Sequence, residues 1–357
     1  MLKGKRLIKL TIVLCFIAIS VTTACKKDNA ITQTGPITVA NAWQITKTGL
    51  YSLDGPMANW TSNGTRFFIT SDNWGSGHQK FSGTADNPMQ TPIFEKTRAN
   101  FFTNDGSING KPWIMSIYKD SYGGLLAFLH MEFVNVNGNT NKGRIALAYS
   151  INEGSTFTYC GEIIAGYGDP DMGGGFLQGC PYIIKDGYFY TYYQFGGICV
   201  ARASVSDVIT AARNNTISTW KKYYNSAWNE NGLTGHETTL KGATGVDITG
   251  IVHSDAAFST YNGKYYLSTT WMNWLGADTY IKLWESSDGV TWELYKTVVQ
   301  EPAGNYGTDD GWQYATILDY GNQINATVGR IFYLYCGNRP YDQTNMSIKR
   351  WVIDLDQ

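Results

Sequence analysis

Four short clusters in this chain set carboxylates beside histidine or tryptophan: Ser71-Asp72-Asn73-Trp74, His130-Met131-Glu132, His253-Ser254-Asp255 and Thr308-Asp309-Asp310-Gly311-Trp312. His78, His130 and His253, three of the four histidines, lie within six residues of one of these acids. A carboxylate bordered by histidine and an apolar strand is costly to bury alone, so it either joins a hydrogen-bonded network or stands in a cleft for use. Two or three such groups in one cleft suit hydrolysis of a glycosidic bond. One acid protonates the leaving oxygen while another activates water or attacks the anomeric carbon. Asp72, Glu132 and Asp255 are the candidate catalytic carboxylates, with Trp74, His78, His130, Asp171, His253, Trp271, Asp310 and Arg339 as candidate substrate contacts. β-Elimination from a uronic acid polymer is the alternative chemistry, with His130, His253, Arg202 and Arg339 in the roles of base and carboxylate clamp. A non-catalytic glycan-binding protein would use the same rings and polar groups. Asp72 and Asp310 also read as turn residues that bind local amides.

The elements that must position these groups are strands. Short aromatic and β-branched runs such as Arg66-Phe67-Phe68-Ile69-Thr70 and Leu125-Leu126-Ala127-Phe128-Leu129 alternate with Gly, Asn and Asp. Only Ser206 to Asn214 predicts a helix, with Ser206 as its cap. Asp186-Gly187 and Asn262-Gly263 each separate two aromatic runs, a strong hairpin signal, and a looser copy runs from Tyr314 through Asn322 to Tyr335. Two segments, Ser150 to Phe157 and Ser286 to Trp292, turn on glycine and end in threonine plus an aromatic ring. Hairpins recurring at a period of about 60 to 75 residues predict an all-β fold, a five-bladed β-propeller. A six-bladed propeller and a double β-sandwich are the competing arrangements. Candidate site residues should then lie at the channel mouth, where the inner strands begin.

The first residues carry an address. Lys3, Lys5, Arg6 and Lys9 precede an apolar run from Leu10 to Ile19, followed by Thr22-Thr23-Ala24-Cys25. A charged start, a short apolar centre and small residues describe a secretory signal over 1–24. Residues 25–41 read as a polar tether, and 42–357 as one propeller domain. The 357 residues carry 28 basic and 29 acidic side chains, and the leader takes basic residues only, so no nucleic-acid or anionic-membrane surface is expected. With 24 Tyr, 15 Phe, 12 Trp and 39 Gly, the composition is that of an extracellular β protein. Cys160, Cys180, Cys199 and Cys336 allow three disulfide pairings, or buried free thiols, between which sequence does not choose. No Cys/His spacing calls for zinc, no cofactor is expected, and a structural calcium in the channel is left open. The chain is expected to act as a monomer on a glycan.

Several of these segments resemble known families. Gly179-Cys180-Pro181-Tyr182-Ile183-Ile184-Lys185-Asp186-Gly187-Tyr188 resembles the Asp-Pro-Tyr-Ile hairpin of the five-bladed propeller glycosidases, the superfamily of glycoside hydrolase families 43, 32 and 117. The turns at Ser150 and Ser286 resemble the Asp-box of sialidase-like propellers. The resemblance implies a base in the first blade, where Asp72 falls, and an acid opening a later blade, where Asp255 falls. It also implies a third carboxylate at the position of Cys180, for which Glu132 or Asp171 would have to substitute. Cys25 resembles the lipidated cysteine of a bacterial lipobox, with Thr22 where Leu is usual. The charges after it are similar to surface-export signals of Bacteroidetes lipoproteins. This implies an outer-membrane lipoprotein facing the cell surface or the periplasm.

Overall fold

The structure, a computed structural model, describes residues 37–38, 53–72, 77–134, 140–168, 177–245, 248, 250, 252–271, 279–301, 309–340 and 347–356. It is a five-bladed β-propeller, as the hairpin period predicts. After the two-residue strand β1 (Ile37–Thr38), the first blade takes β2 (Ala58–Ser62), β3 (Thr65–Asp72), β4 (Gly77–Gly83) and β5 (Thr91–Thr97). A single turn, α1 (Arg98–Phe101), precedes the second blade of β6 (Lys111–Lys119), β7 (Leu125–Val134), β8 (Thr140–Ser150) and β9 (Thr158–Ile164). The third holds β10 (Tyr182–Lys185), β11 (Tyr188–Gln194) and β12 (Ile198–Ser204), then, beyond α2 (Val205–Arg213), β13 (Lys221–Tyr224) and β14 (Ala227–Asn231). The fourth is β15 (Ala256–Ser259), β16 (Tyr265–Trp271), β17 (Thr279–Ser286) and β18 (Glu293–Glu301). In the last blade β19 (Asp309–Asp319) is followed by β20 (Thr327–Val328), β21 (Ile331–Pro340) and β22 (Ser347–Asp354). Here β1 adds to the outer edge of β22, and β20 leaves to pair parallel with β15.

Blades are covered on both faces, so their middle strands read as continuous apolar runs. Along β7, Leu126 and Phe128 enter the core shared with the third blade, while Leu125, Ala127, Leu129 and Met131 enter the core shared with the first. The Asp186-Gly187 hairpin forms as expected, with φ of 51° and 78° at the two turn residues. The helix cap lies two residues earlier than its sequence pattern suggests, at Ser204 instead of Ser206. Ser204 is the cap, its hydroxyl accepting from Asp207 N, because β12 ends there in extended backbone. Cys160, Cys180, Cys199 and Cys336 are free thiols.

Buried hydrogen bonds tie each blade to the next. Ser71 Oγ accepts from Ile114 N at 2.9 Å, Tyr182 OH donates to Ile117 O at 3.0 Å, and Tyr192 OH donates to Gly289 O at 2.9 Å. Thr316 Oγ1 closes the ring by accepting from Met57 N at 2.8 Å. Between the fourth and fifth blades the tie is Asp255, whose Oδ2 accepts from Ile317 N at 3.2 Å and whose Oδ1 accepts from its own neighbour, Ala256 N. Burial pushes the Asp255 carboxyl up to about 7, against the pull of those two amides.

The inner strands begin at one end of the ring, the mouth; the segment between β19 and β21 crosses the other end. Asn325 Oδ1 accepts from Lys119 N and its amide donates to Lys119 O, both at 2.9 Å. Arg66 donates to Asp319 O and Gln323 O, while Phe258 N and Thr260 N donate to Ala326 O and Val328 O. This plug closes a cavity of about 30 Å³, one water's worth, against Asp255.

Two stability outcomes are expected. Asn325→Ala strands both backbone groups of Lys119 and lowers unfolding free energy by about 1–3 kcal/mol in urea titration; an unchanged midpoint would remove the plug's structural role. The raised carboxyl of Asp255 makes folded chain hold a proton that unfolded chain has released. Parent stability therefore falls as pH rises from the ordinary aspartate range toward 7 and levels off above it. Asp255→Asn should abolish that slope whatever its absolute stability, and identical slopes in the two proteins would refute it.

Candidate functional site

At the mouth, residues from four blades form a closed ring of polar and aromatic groups. Asp54, just before β2, accepts from Trp113 Nε1 at 2.8 Å on one oxygen and from Tyr314 OH at 3.0 Å on the other. Trp113, near the start of β6, packs at 5.6 Å against His130, near the end of β7. His130 meets His253 edge to face at 4.6 Å, and His253 lies 6.1 Å from the Tyr314 ring, which leads back to Asp54. The third blade closes up behind this ring. A side chain on Gly179, at φ +75°, would strike Val252 O and His253 N, so only glycine permits the approach.

Strand geometry sets these directions. Period-2 alternation puts Leu126, Phe128, His130 and Glu132 on one side of β7, apolar in mid-strand and polar where the strand reaches the mouth. Glu132 Oε1 lies 3.2 Å from His130 Nε2. Tyr314 sits in a break of the β19–β21 register with φ of 56°, a left-handed backbone that aims its hydroxyl at Asp54 of the adjoining first blade. Burial, reinforced by the facing His130, holds His253 well below the ordinary histidine range. Its Nε2 has no hydrogen-bond partner among the described residues. A neutral imidazole with an unused nitrogen thus lies between His130, which meets Glu132, and Tyr314, which donates to Asp54.

The sequence candidates distribute unevenly around this ring. Glu132, His130 and His253 come together, and Asp255 lies one layer below, both oxygens engaged by amides. Asp72 is the last residue of β3, paired with Gly77, while Asp310 and Arg339 lie on β19 and β21 toward the mouth. Trp271 ends β16 at the same face and stacks on Tyr280 at 6.1 Å. His78 goes elsewhere. It is fully buried between the first two blades, stacked on Phe101 at 4.5 Å with Nδ1 3.1 Å from Ser71 Oγ, and burial takes it down to about 3. Arg202, the clamp of the elimination chemistry, is held against Tyr188 and Trp228 at 4.7 and 4.4 Å, toward the far end of β12. Cys180 is completely buried in the core shared by the second and third blades. Trp74, Asp171 and Cys25 lie outside the described residues. Among the described residues no three of His, Cys, Asp and Glu gather to hold a metal ion.

Sequence reasoning passed over Asp54, Trp113 and Tyr314. A signal for Asp54 existed: Leu53-Asp54-Gly55-Pro56 stands just before an inner strand, as Cys180 stands before β10 and Asp255 before β15.

No protein-family model matches the chain, and no curated protein matches it. Solved structures do. A GH43_1 enzyme from Xanthomonas citri complexed with xylose superposes with a TM-score of 0.54 at 12% identity, covering 89% of this chain and 90% of that one. An α-L-arabinofuranosidase from Podospora anserina in complex with cellotriose gives 0.51 at 10%, covering 89% and 95%. A putative exo-β-1,3-galactanase from Bifidobacterium bifidum gives 0.50 at 10%, covering 90% and 93%. At such identities the likeness is one of architecture, and the chain has the five-bladed propeller fold seen in these glycoside hydrolases.

Proposed function

We propose that this chain is a glycoside hydrolase acting on a poly- or oligosaccharide at the propeller mouth. The observation that carries the reading is the placement of Asp54 and Glu132, from different blades, around an aromatic and histidine ring at the open end of the channel. Asp54 is fixed by two donors and suited to take a proton from water; Glu132 is suited to give one to the leaving oxygen, with His130 as its partner. Asp72, the last residue of β3, is the candidate third carboxylate of this reading, with Asp255 supporting the layer beneath. Trp271, half-buried at the same face, offers a ring for sugar stacking, while Trp113 and Tyr314 are buried and hold Asp54 in place. Cleaving an external polymer fits a secreted chain tethered through a lipid on Cys25. Cys25→Ser should move the protein from the membrane fraction to the soluble one, and retention in membranes would refute the tether.

A second reading, a glycan-binding protein without turnover, is favoured by one observation. Where the resembling glycosidases are expected to place a third carboxylate, this chain buries the thiol of Cys180 in its core.

Reducing-sugar release from a panel of plant, algal and host glycans decides between them. Asp54→Asn and Glu132→Gln should each lower turnover by a factor on the order of 10²–10⁴ while leaving the circular dichroism spectrum unchanged. Full activity in both variants would displace the site, and binding without release by the parent would select the second reading.

A further inference from the structure

On the end of the ring opposite the mouth, a groove of about 790 Å³ runs between the second and third blades. It is bounded by the β6–β7 turn, the β10–β11 turn and α2, so it shares no residue with the mouth ring. Its volume falls within the range of small-ligand sites. The groove carries ring faces and polar groups. Tyr122 is 72% exposed, Tyr118 is half-buried beside it, and Ser121, Thr210 and Asn214 supply a hydroxyl or amide each. The Arg213 guanidinium carbon lies 3.9 Å from the centre of the Tyr122 ring, and the side chain makes no ion pair with a carboxylate among the described residues. Asp120, at the floor, is buried and occupied by the Tyr149 hydroxyl and the amides of Tyr122 and Gly124. It therefore fixes the turn that presents Tyr122 with its acceptor oxygens turned to those donors, and Arg213 is the charged group at the lip.

We propose that this groove is a second carbohydrate-binding site, selective for a glycan bearing an acidic sugar, with Tyr122 stacking on a sugar ring and Arg213 pairing with the ring's carboxylate. A sugar has one apolar face and a rim of hydroxyls, which is what one exposed aromatic ring among short polar side chains accommodates. The planar guanidinium matches a carboxylate bidentately. The site goes beyond the hydrolytic reading and does not require it, since it would hold a polymer whether or not the mouth cleaves.

Calorimetric titration of the full chain, carrying Asp54→Asn to prevent turnover, tests this with a short oligogalacturonide and a neutral xylo-oligosaccharide as probes. Arg213→Ala should weaken the acidic probe about tenfold and leave the neutral one unchanged; Tyr122→Ala should weaken both. Thr210→Trp fills the groove from an exposed position on α2 and should abolish the Arg213-dependent binding without touching the core. Parental affinity for the acidic probe in both Arg213→Ala and Thr210→Trp would overturn the proposal, as would absence of binding by the parent. Arg213-dependent binding in a chain that releases no sugar from any glycan would sustain this site and reject hydrolysis at the mouth.

Discussion

Every inner strand of a propeller has a strand partner on one side only, and its other edge faces the channel with unpaired backbone groups. Buried amides without partners cost as much as a lost hydrogen bond, so each of these edges has to be answered from outside its own sheet. Much of what is particular to this chain follows from that requirement. Thr316, Ser71 and Asp255 each send a side-chain oxygen to a neighbouring blade's amide, at Met57, Ile114 and Ile317. The edge of β15 is answered by backbone instead, through β20. The end of β6 is answered by Asn325, whose side-chain amide imitates a strand neighbour by accepting from and donating to one residue, Lys119.

This requirement also explains why Asp255 looked like a reagent and behaves as a fastener. The same features that single it out in sequence, a carboxylate bordered by histidine and an apolar strand, serve a carboxylate that bridges blades. Its oxygens receive two amides, and burial, outweighing them, raises the carboxyl. Asp54 lies in a different setting, where both donors belong to side chains and the group sits at the mouth itself.

How much was legible in the sequence depended on which strands spoke. The Asx-Gly hairpins and the apolar runs of the middle strands gave the blade count, because both faces of a middle strand are packed. The inner strand of the first blade, Ala58-Asn59-Trp60-Thr61-Ser62, is half polar and short, so it carries little strand signal, and Asp54 before it went unnoticed. His78 was misplaced for the opposite reason. A strand buried on both faces can hide a histidine against Phe101 as readily as display one, and proximity to an acid in sequence says nothing about which face it takes. The convergence of Trp113, His130, His253 and Tyr314 depends on contacts between residues far apart in the chain and on a left-handed backbone at Tyr314, neither of which leaves a local trace.

The crossing of residues 320–330 beneath the ring makes the channel a blind well, with traffic in a single direction of approach. A polymer could not be threaded from one end of the ring to the other past this crossing. Under the proposed hydrolysis at the mouth, the fragment left after cleavage would depart by the path of entry, so arrival and departure would compete for one opening.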